Sequence, residues 1–331
     1  MGGILIAGLG SVGRRHLTNL RALGWRDIRC YRTGRSTLPD ADLSGTPVDY
    51  DLDGALAHQP LAVIVANPTA LHLDVASAAA RAGAHLFIEK PVSHALAGVA
   101  ELEAEVRSRQ LTALVGFQFR FHPGLRQLRR WIESGAIGTV VSAQAHWGEY
   151  LPDMHPWENY RGGYAARPEL GGGVLLTLCH PFDYLRWLVG DIEDAAAIAS
   201  RRDPLGLAVE TSVDTVLRFA NGASGHVHLD FVQRPTEHRL SIIGTEGTMS
   251  WNQADHTARL FSSATSQWEV VPPPAAFERN TMFLDEMRHF LACLRGDEQP
   301  ICTLADGRAA LEAIDAARRT IRETHPSCQP T

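Results

Sequence analysis

Lysine is almost missing from this chain: of 31 basic residues 30 are arginine, and Lys90 is the one lysine. An arginine-biased genome explains the excess wherever only surface charge is needed. The exception carries more information, because guanidinium cannot replace an ammonium's compact shape and adjustable pKa. Cysteine is scarce too. The five residues (Cys30, Cys179, Cys293, Cys302, Cys328) are odd in number and far apart, which argues against a disulfide framework and supplies no zinc pattern. They fit reduced thiols in a cytoplasmic protein, and the reading assigns no metal. No apolar run reaches the roughly 20 residues of a membrane span, and the first residues enter a strand without a basic leader. Positive charge is not in excess either. A formal charge of −6 with scattered arginines builds no field for nucleic acid.

What is present is 331 residues of ordinary globular composition, 45% apolar and 21% charged, enough for two domains. Residues 1–120 alternate strand and helix signals, as a parallel sheet with crossover helices does. Strands read at 3–7, 27–31, 61–65, 84–88 and 112–116, with helices at 12–23, 70–81 and 95–109. From about residue 121 the grammar changes. After a helix at 123–134 come alternating stretches at 140–150, 213–219, 225–232, 239–243 and 248–251, separated by turns such as Asn221-Gly222. That pattern predicts an antiparallel sheet with one covered face. Helices at 282–295 and 305–323 end the α+β second domain, 121–331, and the last can pack back on the first domain.

Gly8-Leu-Gly10-Ser-Val-Gly13 is a G-x-G-x-x-G between a predicted strand and helix, the placement a Rossmann dinucleotide fold requires. Gly8 permits the tight turn, Gly10 the approach of a pyrophosphate, and Gly13 close helix–strand packing. The helix start at Ser11 and Val12 then points free N–H groups at the phosphates. An acid holding the ribose 2′-hydroxyl is expected at the end of the second strand. Tyr31-Arg32-Thr33-Gly34-Arg35 stands there instead. Arg32, Thr33 and Arg35 suit a 2′-phosphate and so NADP; Arg32 stacked on adenine serves NAD equally. Lys90 follows a buried strand at its C-terminal end, where ligands bind in open α/β sheets. There it can donate to a substrate oxygen beside a nicotinamide. Its neighbour Glu89 is either a cofactor or lysine partner or a plain solvated carboxylate.

The fingerprint, Asn67-Pro68-Thr69-Ala-Leu-His72, Glu89-Lys90-Pro91 and Gly171-Gly-Gly…His180…Asp183 occur in that order. Together they resemble the Gfo/Idh/MocA family, the oxidoreductases related to glucose–fructose oxidoreductase and inositol dehydrogenase. The resemblance implies an N-terminal Rossmann domain and a C-terminal domain with a large, mostly antiparallel open sheet that often forms the oligomer interface. It implies NAD(P)-linked hydride transfer at a carbinol, without metal. By the same resemblance Asn67, Pro68 and His72 line the cofactor, and Lys90 binds cofactor and substrate. His180 is the catalytic acid/base, chemically apt because imidazole exchanges a proton near neutrality. Where the family has an Asp before that His, this chain has Thr177, which cannot take a proton. Asp183, three residues beyond His180, is the nearest carboxylate. It is a catalytic candidate, an orienting group, or a helix-surface residue.

The aromatic and polar stretch from Trp147 to Arg161 suits a carbohydrate pocket or a self-packed loop. Its candidates are Glu149, Trp157, Tyr160 and Arg161, joined by Arg120 for substrate and Gln118 for cofactor. The expected function is a cytoplasmic NADP- or NAD-dependent oxidoreductase of a sugar, amino sugar, sugar acid or cyclitol, a homodimer or homotetramer through the open sheet. The alternatives are a redox-cycling glycoside lyase or hydrolase and a cofactor-binding regulatory protein with reduced catalysis.

Overall fold

The computed structural model describes residues 2–34, 43 and 45–324. The chain divides into two units: the residues up to Phe117 together with Arg279–Leu311, and Gln118–Glu278 together with the chain from Glu312. The first break falls close to the boundary read from the sequence. The return of residues 279–311 to the first unit is additional.

The first unit is built on six parallel strands, β1 (Ile4–Ala7), β2 (Ile28–Tyr31), β3 (Val48–Asp49), β4 (Ala62–Val65), β5 (His85–Glu89) and β6 (Ala113–Gly116), in the order β3-β2-β1-β4-β5-β6. Every residue of β1, β4 and β6 is buried, which is why these segments read as unbroken apolar runs: helices cover both faces of a parallel sheet. Helices α1 (Ser11–Ala22), α2 (Leu52–Ala57), α3 (His72–Arg81) and α4 (Val99–Ser108) connect the strands. The penultimate helix α9 (Arg279–Arg295) adds Met287, Phe290 and Leu291 to a core with Ile4, Ile6, Leu17, Phe87 and Leu114. Ala7 lies opposite both Tyr31 and Val65, and Val65 opposite Ile88. The strand ends are therefore level, and Gly8, Arg32, Asn67 and Lys90 leave the sheet along one edge.

The second unit holds β7 (Val140–Gly148), β8 (Ile192–Ala199), β9 (Ser212–Phe219), β10 (Ser224–Asp230), β11 (Glu237–Gly244), β12 (Gly247–Asn252), β13 (Thr257–Ser262) and β14 (Gln267–Val271). Their order is β14-β13-β12-β11-β7-β10-β9-β8, antiparallel throughout except for the parallel pair β7–β10. In β9 buried and exposed residues alternate strictly, the mark of a sheet with one covered face. α5 (Pro123–Glu133) packs on β12 and β13. The other face leaves Val216, Ile243, Trp268 and Val270 exposed. Strands β3, β8, β13 and β14 and the short α2 were not expected from the sequence. The last helix, α10 (Leu304–Thr324), runs from the first unit into the second.

Candidate functional site

In the first unit the glycine turn has the geometry its spacing predicts. Gly8 sits at φ +106°, where a Cβ would stand 2.5 Å from the Asn67 nitrogen. A Cβ at Gly13 would lie 2.0 Å from the Gly8 carbonyl oxygen, so helix and turn can meet only through glycine. A Cβ at Gly10 would meet nothing within 4 Å, which leaves open space over the start of α1. That helix has no side-chain cap and no acid in its first turn, so its first N–H groups remain for an anion. Asn67 donates its amide to Leu71 O at 3.0 Å, while its buried Oδ1 has no hydrogen-bond partner among the described residues. Open space, uncapped N–H groups and an unsatisfied buried acceptor fit a dinucleotide.

At the end of β2 the Arg32 side chain is buried and Thr33 is exposed; Arg35 lies outside the described residues. The carboxylate nearest in register is Asp49, opposite Tyr31. It is held by the Arg29 guanidinium at 3.2 and 3.3 Å.

Lys90 is half-buried and Glu89 is buried beneath it, so Glu89 is not a solvated carboxylate. Its Oε1 lies 2.7 Å from His16 Nε2, and its Oε2 accepts the Lys90 N–H at 3.3 Å. Burial pushes the Glu89 carboxyl up, but His16, Lys90 and His72 outweigh this and hold it below the usual carboxylate range. His16 was missed by sequence reasoning. The available signal was a histidine on the buried stripe of α1, between Gly13 and Leu17. His72, which the resemblance gives to the cofactor lining, lies between the loops after β4 and β5. Its ring is buried, with Nδ1 2.9 Å from Pro91 O and Nε2 2.9 Å from Asn67 O. It braces the loops after β4 and β5, and burial holds its pKa down.

In the second unit, α7 (Val174–Thr177) and α8 (His180–Val189) carry the segment expected to be catalytic. Gly173, at φ +103°, makes room for the Glu210 carboxylate, which a Cβ would approach to 2.4 Å. His180 opens α8, buried, edge-on to Phe119 with centroids 4.8 Å apart and stacked on Trp147 at 5.6 Å. Thr177 is buried at the end of α7. Asp183 is not a helix-surface residue. It is 1% exposed and takes Arg120 Nε at 3.1 Å on each oxygen and Nη2 at 2.6 Å, with Arg120 itself 2% exposed. A carboxylate engaged in this way is a counter-charge for Arg120 and a poor proton acceptor. Asp183, a catalytic candidate in the sequence, and Arg120, a substrate-binding candidate, are thus engaged with each other.

Around His180 the cluster continues. His238 lies parallel to Trp147 at 4.2 Å, with Nε2 3.1 Å from Tyr184 Oη and Nδ1 2.9 Å from Gln253 Oε1. Trp147 Nε1 donates to Glu149 Oε1 at 2.8 Å. Gln118 is buried, and its Oε1 has no hydrogen-bond partner among the described residues. The remaining candidates are more open. Trp157 is 61% exposed. Arg161 lies over the Tyr160 ring at 5.2 Å and donates to Gly206 O at 3.0 Å. The stretch runs from the end of β7 through α6 (Leu151–Met154) to a 3-10 turn at Tyr160–Gly162, and two more such turns follow it.

Burial pushes His238 down to about 3, and burial with the neighbouring charges of His256 and His238 pushes His122 down to about 3. Between the unfolded value of about 6.5 and the folded value, the unfolded chain binds protons that the folded chain refuses. Stability therefore falls with acidification, by up to about 1.4 kcal/mol per pH unit for each histidine. Urea unfolding at pH 7 and pH 5 reads this directly. Equal midpoints would show that neither ring is held neutral.

Two family models match the chain: an oxidoreductase family with an NAD-binding Rossmann fold over residues 3–117, and the GFO/IDH/MocA C-terminal domain over residues 125–250. An uncharacterised oxidoreductase of Synechocystis sp. is 32% identical over 226 residues, 62% of this chain and 60% of that protein, so the match spans less than two thirds of the relative's length. The scyllo-inositol 2-dehydrogenase (NAD(+)) of Bacillus subtilis is 26% identical, covering 80% of this chain and 76% of the relative. A levoglucosan dehydrogenase solved in complex with NADH and levoglucosan superposes with a TM-score of 0.86 at 21% identity, over 97% of each chain. At that identity the likeness shows the fold. Among the described residues no helix is long and apolar enough to cross a membrane.

Proposed function

This chain belongs to the Gfo/Idh/MocA family of oxidoreductases, and we propose on that basis that it moves hydride at a carbinol or carbonyl carbon of a sugar, amino sugar, sugar acid or cyclitol. The observation that carries the reading is the grouping, along one edge of a parallel sheet, of the chain's one lysine with a glycine turn shaped for a dinucleotide. A bound nicotinamide supplies the hydride acceptor or donor. The rest falls to the chain's own residues. Lys90 Nζ donates to the substrate oxygen and stabilises the charge that develops there. The His180 imidazole takes the hydroxyl proton during oxidation and returns it during reduction. Asp183 holds Arg120, and Glu89 holds a negative charge behind Lys90.

NADP is the preferred cofactor in this reading, supported by Arg32 and Thr33 after β2 and by Asp49 being tied to Arg29. The inositol dehydrogenase among the relatives supports net oxidation or reduction rather than a redox-neutral lyase. The exposed apolar side chains of the open sheet support a homo-oligomer assembled on that face, and the four disulfide-free cysteines among the described residues support a cytoplasmic location.

The test is a panel of inositols, aldoses, amino sugars and uronic acids with NAD and NADP, read by absorbance of the reduced nicotinamide. Turnover with at least one member is expected, faster with NADP. Arg32→Ala is expected to raise KM for NADP about tenfold while changing that for NAD little. A clear wild-type preference for NAD overturns the cofactor assignment. Tight nucleotide binding with no turnover across the panel overturns the enzymatic one and favours a regulatory protein.

A further inference from the structure

The open face of the eight-stranded sheet carries ionisable groups that the proposed hydride chemistry does not use. The parallel register sets His146 of β7 directly opposite His228 of β10, and Gly148 opposite Asp230 one step along the same face. The two imidazoles are stacked with centroids 4.7 Å apart. His228 Nε2 is 3.2 Å from Asp230 Oδ2. One ligand atom from each of His146, His228 and Asp230 lies within 4.8 Å of the other two.

Each of the three is oriented by its surroundings. Asp230 Oδ1 accepts the backbone N–H groups of Val232 and Gln233 at 2.7 and 2.6 Å, which turns Oδ2 toward His228. Position 148 must be glycine for this to happen, since a Cβ there would stand 2.3 Å from Oδ2. His228 Nδ1 lies 2.8 Å from Asp214 Oδ1 and Nε2 faces Asp230, so an ion takes the place of the proton that Nε2 shares with that carboxylate. Gln233 Oε1, 2.6 Å from His146 Nε2, adds a neutral oxygen, and its amide is anchored on Glu237 at 3.1 Å. The side chains of His146 and His228 are 21% and 23% exposed and that of Asp230 is 5% exposed. The carboxylate is thus the most sequestered of the three groups, and the two rings lie above it on the face proposed for assembly.

We propose that His146, His228 and Asp230 bind a divalent metal ion of the borderline class that two imidazoles and a carboxylate select, with Zn2+ as its reference occupant. The ion takes the place between His228 Nε2 and Asp230 Oδ2. Binding requires one imidazole to swing out of the stack, so that both in-plane lone pairs face the ion and the donor spacing closes to the roughly 3.3 Å that bonds of about 2 Å in a tetrahedron require. Asp214 behind His228 fixes the ring's tautomer, as a carboxylate behind a metal-bound histidine does. No electron transfer is involved. The motif is invisible in the sequence because strand pairing, not spacing along the chain, joins residue 146 to residues 228 and 230.

The experiment uses the full chain dialysed against chelator and titrated with Zn2+ by calorimetry, with Co2+ as a spectroscopic stand-in. One ion per chain is expected, with a dissociation constant in the micromolar range or below and visible d–d absorption from bound Co2+. His146→Gln and His228→Gln should each weaken binding at least about tenfold. An unchanged melting temperature in both variants shows that the fold is intact. Absence of saturable binding by the wild-type chain overturns the proposal. So does binding that survives undiminished when His146→Gln and His228→Gln are combined in one chain, which would place the ion elsewhere.

Discussion

Replacing Lys90 with methionine lowers turnover about 10²–10⁴-fold, the range for losing a group that donates to a reacting oxygen, with little change in melting temperature. Methionine keeps the length and apolar stem of the side chain and removes the ammonium. The position tolerates this because Lys90 is half-buried at a strand end, while the packing below it is done by other residues, including Glu89 against His16. Arginine should not rescue activity. Its planar fork needs more room than a compact ammonium and binds an oxygen with different geometry. His180→Asn should cost a similar factor in kcat. The loss is expected in kcat and kcat/KM together, the sign of an interaction made in the transition state. A lysine-directed reagent has one side chain to find, and NAD(P) should protect it. Near-normal kcat in both variants would remove these residues from the chemistry, whatever the cofactor.

Asp183→Ala acts on stability first. It leaves the Arg120 guanidinium buried at 2% exposure without the carboxylate that meets it on two oxygens. Breaking such a pair from one side destabilises by roughly 3–5 kcal/mol, because the remaining charge cannot be rehydrated in place. The Arg120→Met, Asp183→Leu double variant removes both charges and should recover most of the loss. Urea midpoints of the two variants separate these outcomes. A loss below about 1 kcal/mol in Asp183→Ala would mean that water reaches the pair.

How much was legible in the sequence follows from how local each signal is. The glycine turn, the strand ending at Lys90 and the alternation along β9 are written in neighbouring residues, and each was read correctly as to type. The partners of Glu89 and Asp183 were not legible, because His16 and Arg120 reach them from remote parts of the chain. Asp183 shows the failure most plainly. Its position one helical turn from His180 suggested a shared face, yet the carboxylate is taken by an arginine 63 residues away. Strand β14 was missed for another reason. At the sheet edge four of its five residues are exposed, so no inward-facing pattern marks it. The extra pieces of the second unit likewise depend on register, which no single strand specifies.

The return of α9 to the first unit sets the order in which the protein can mature. As the polypeptide emerges from synthesis, β1 to β6 are complete long before Met287, Phe290 and Leu291 exist to seal their core. Until then the nucleotide-binding sheet carries an apolar seam around Phe87 and Leu114, the kind of transient surface that chaperones capture. The second unit's strands all lie in the intervening stretch, so they are synthesised first. The unit that begins the chain is thus among the last parts to become complete.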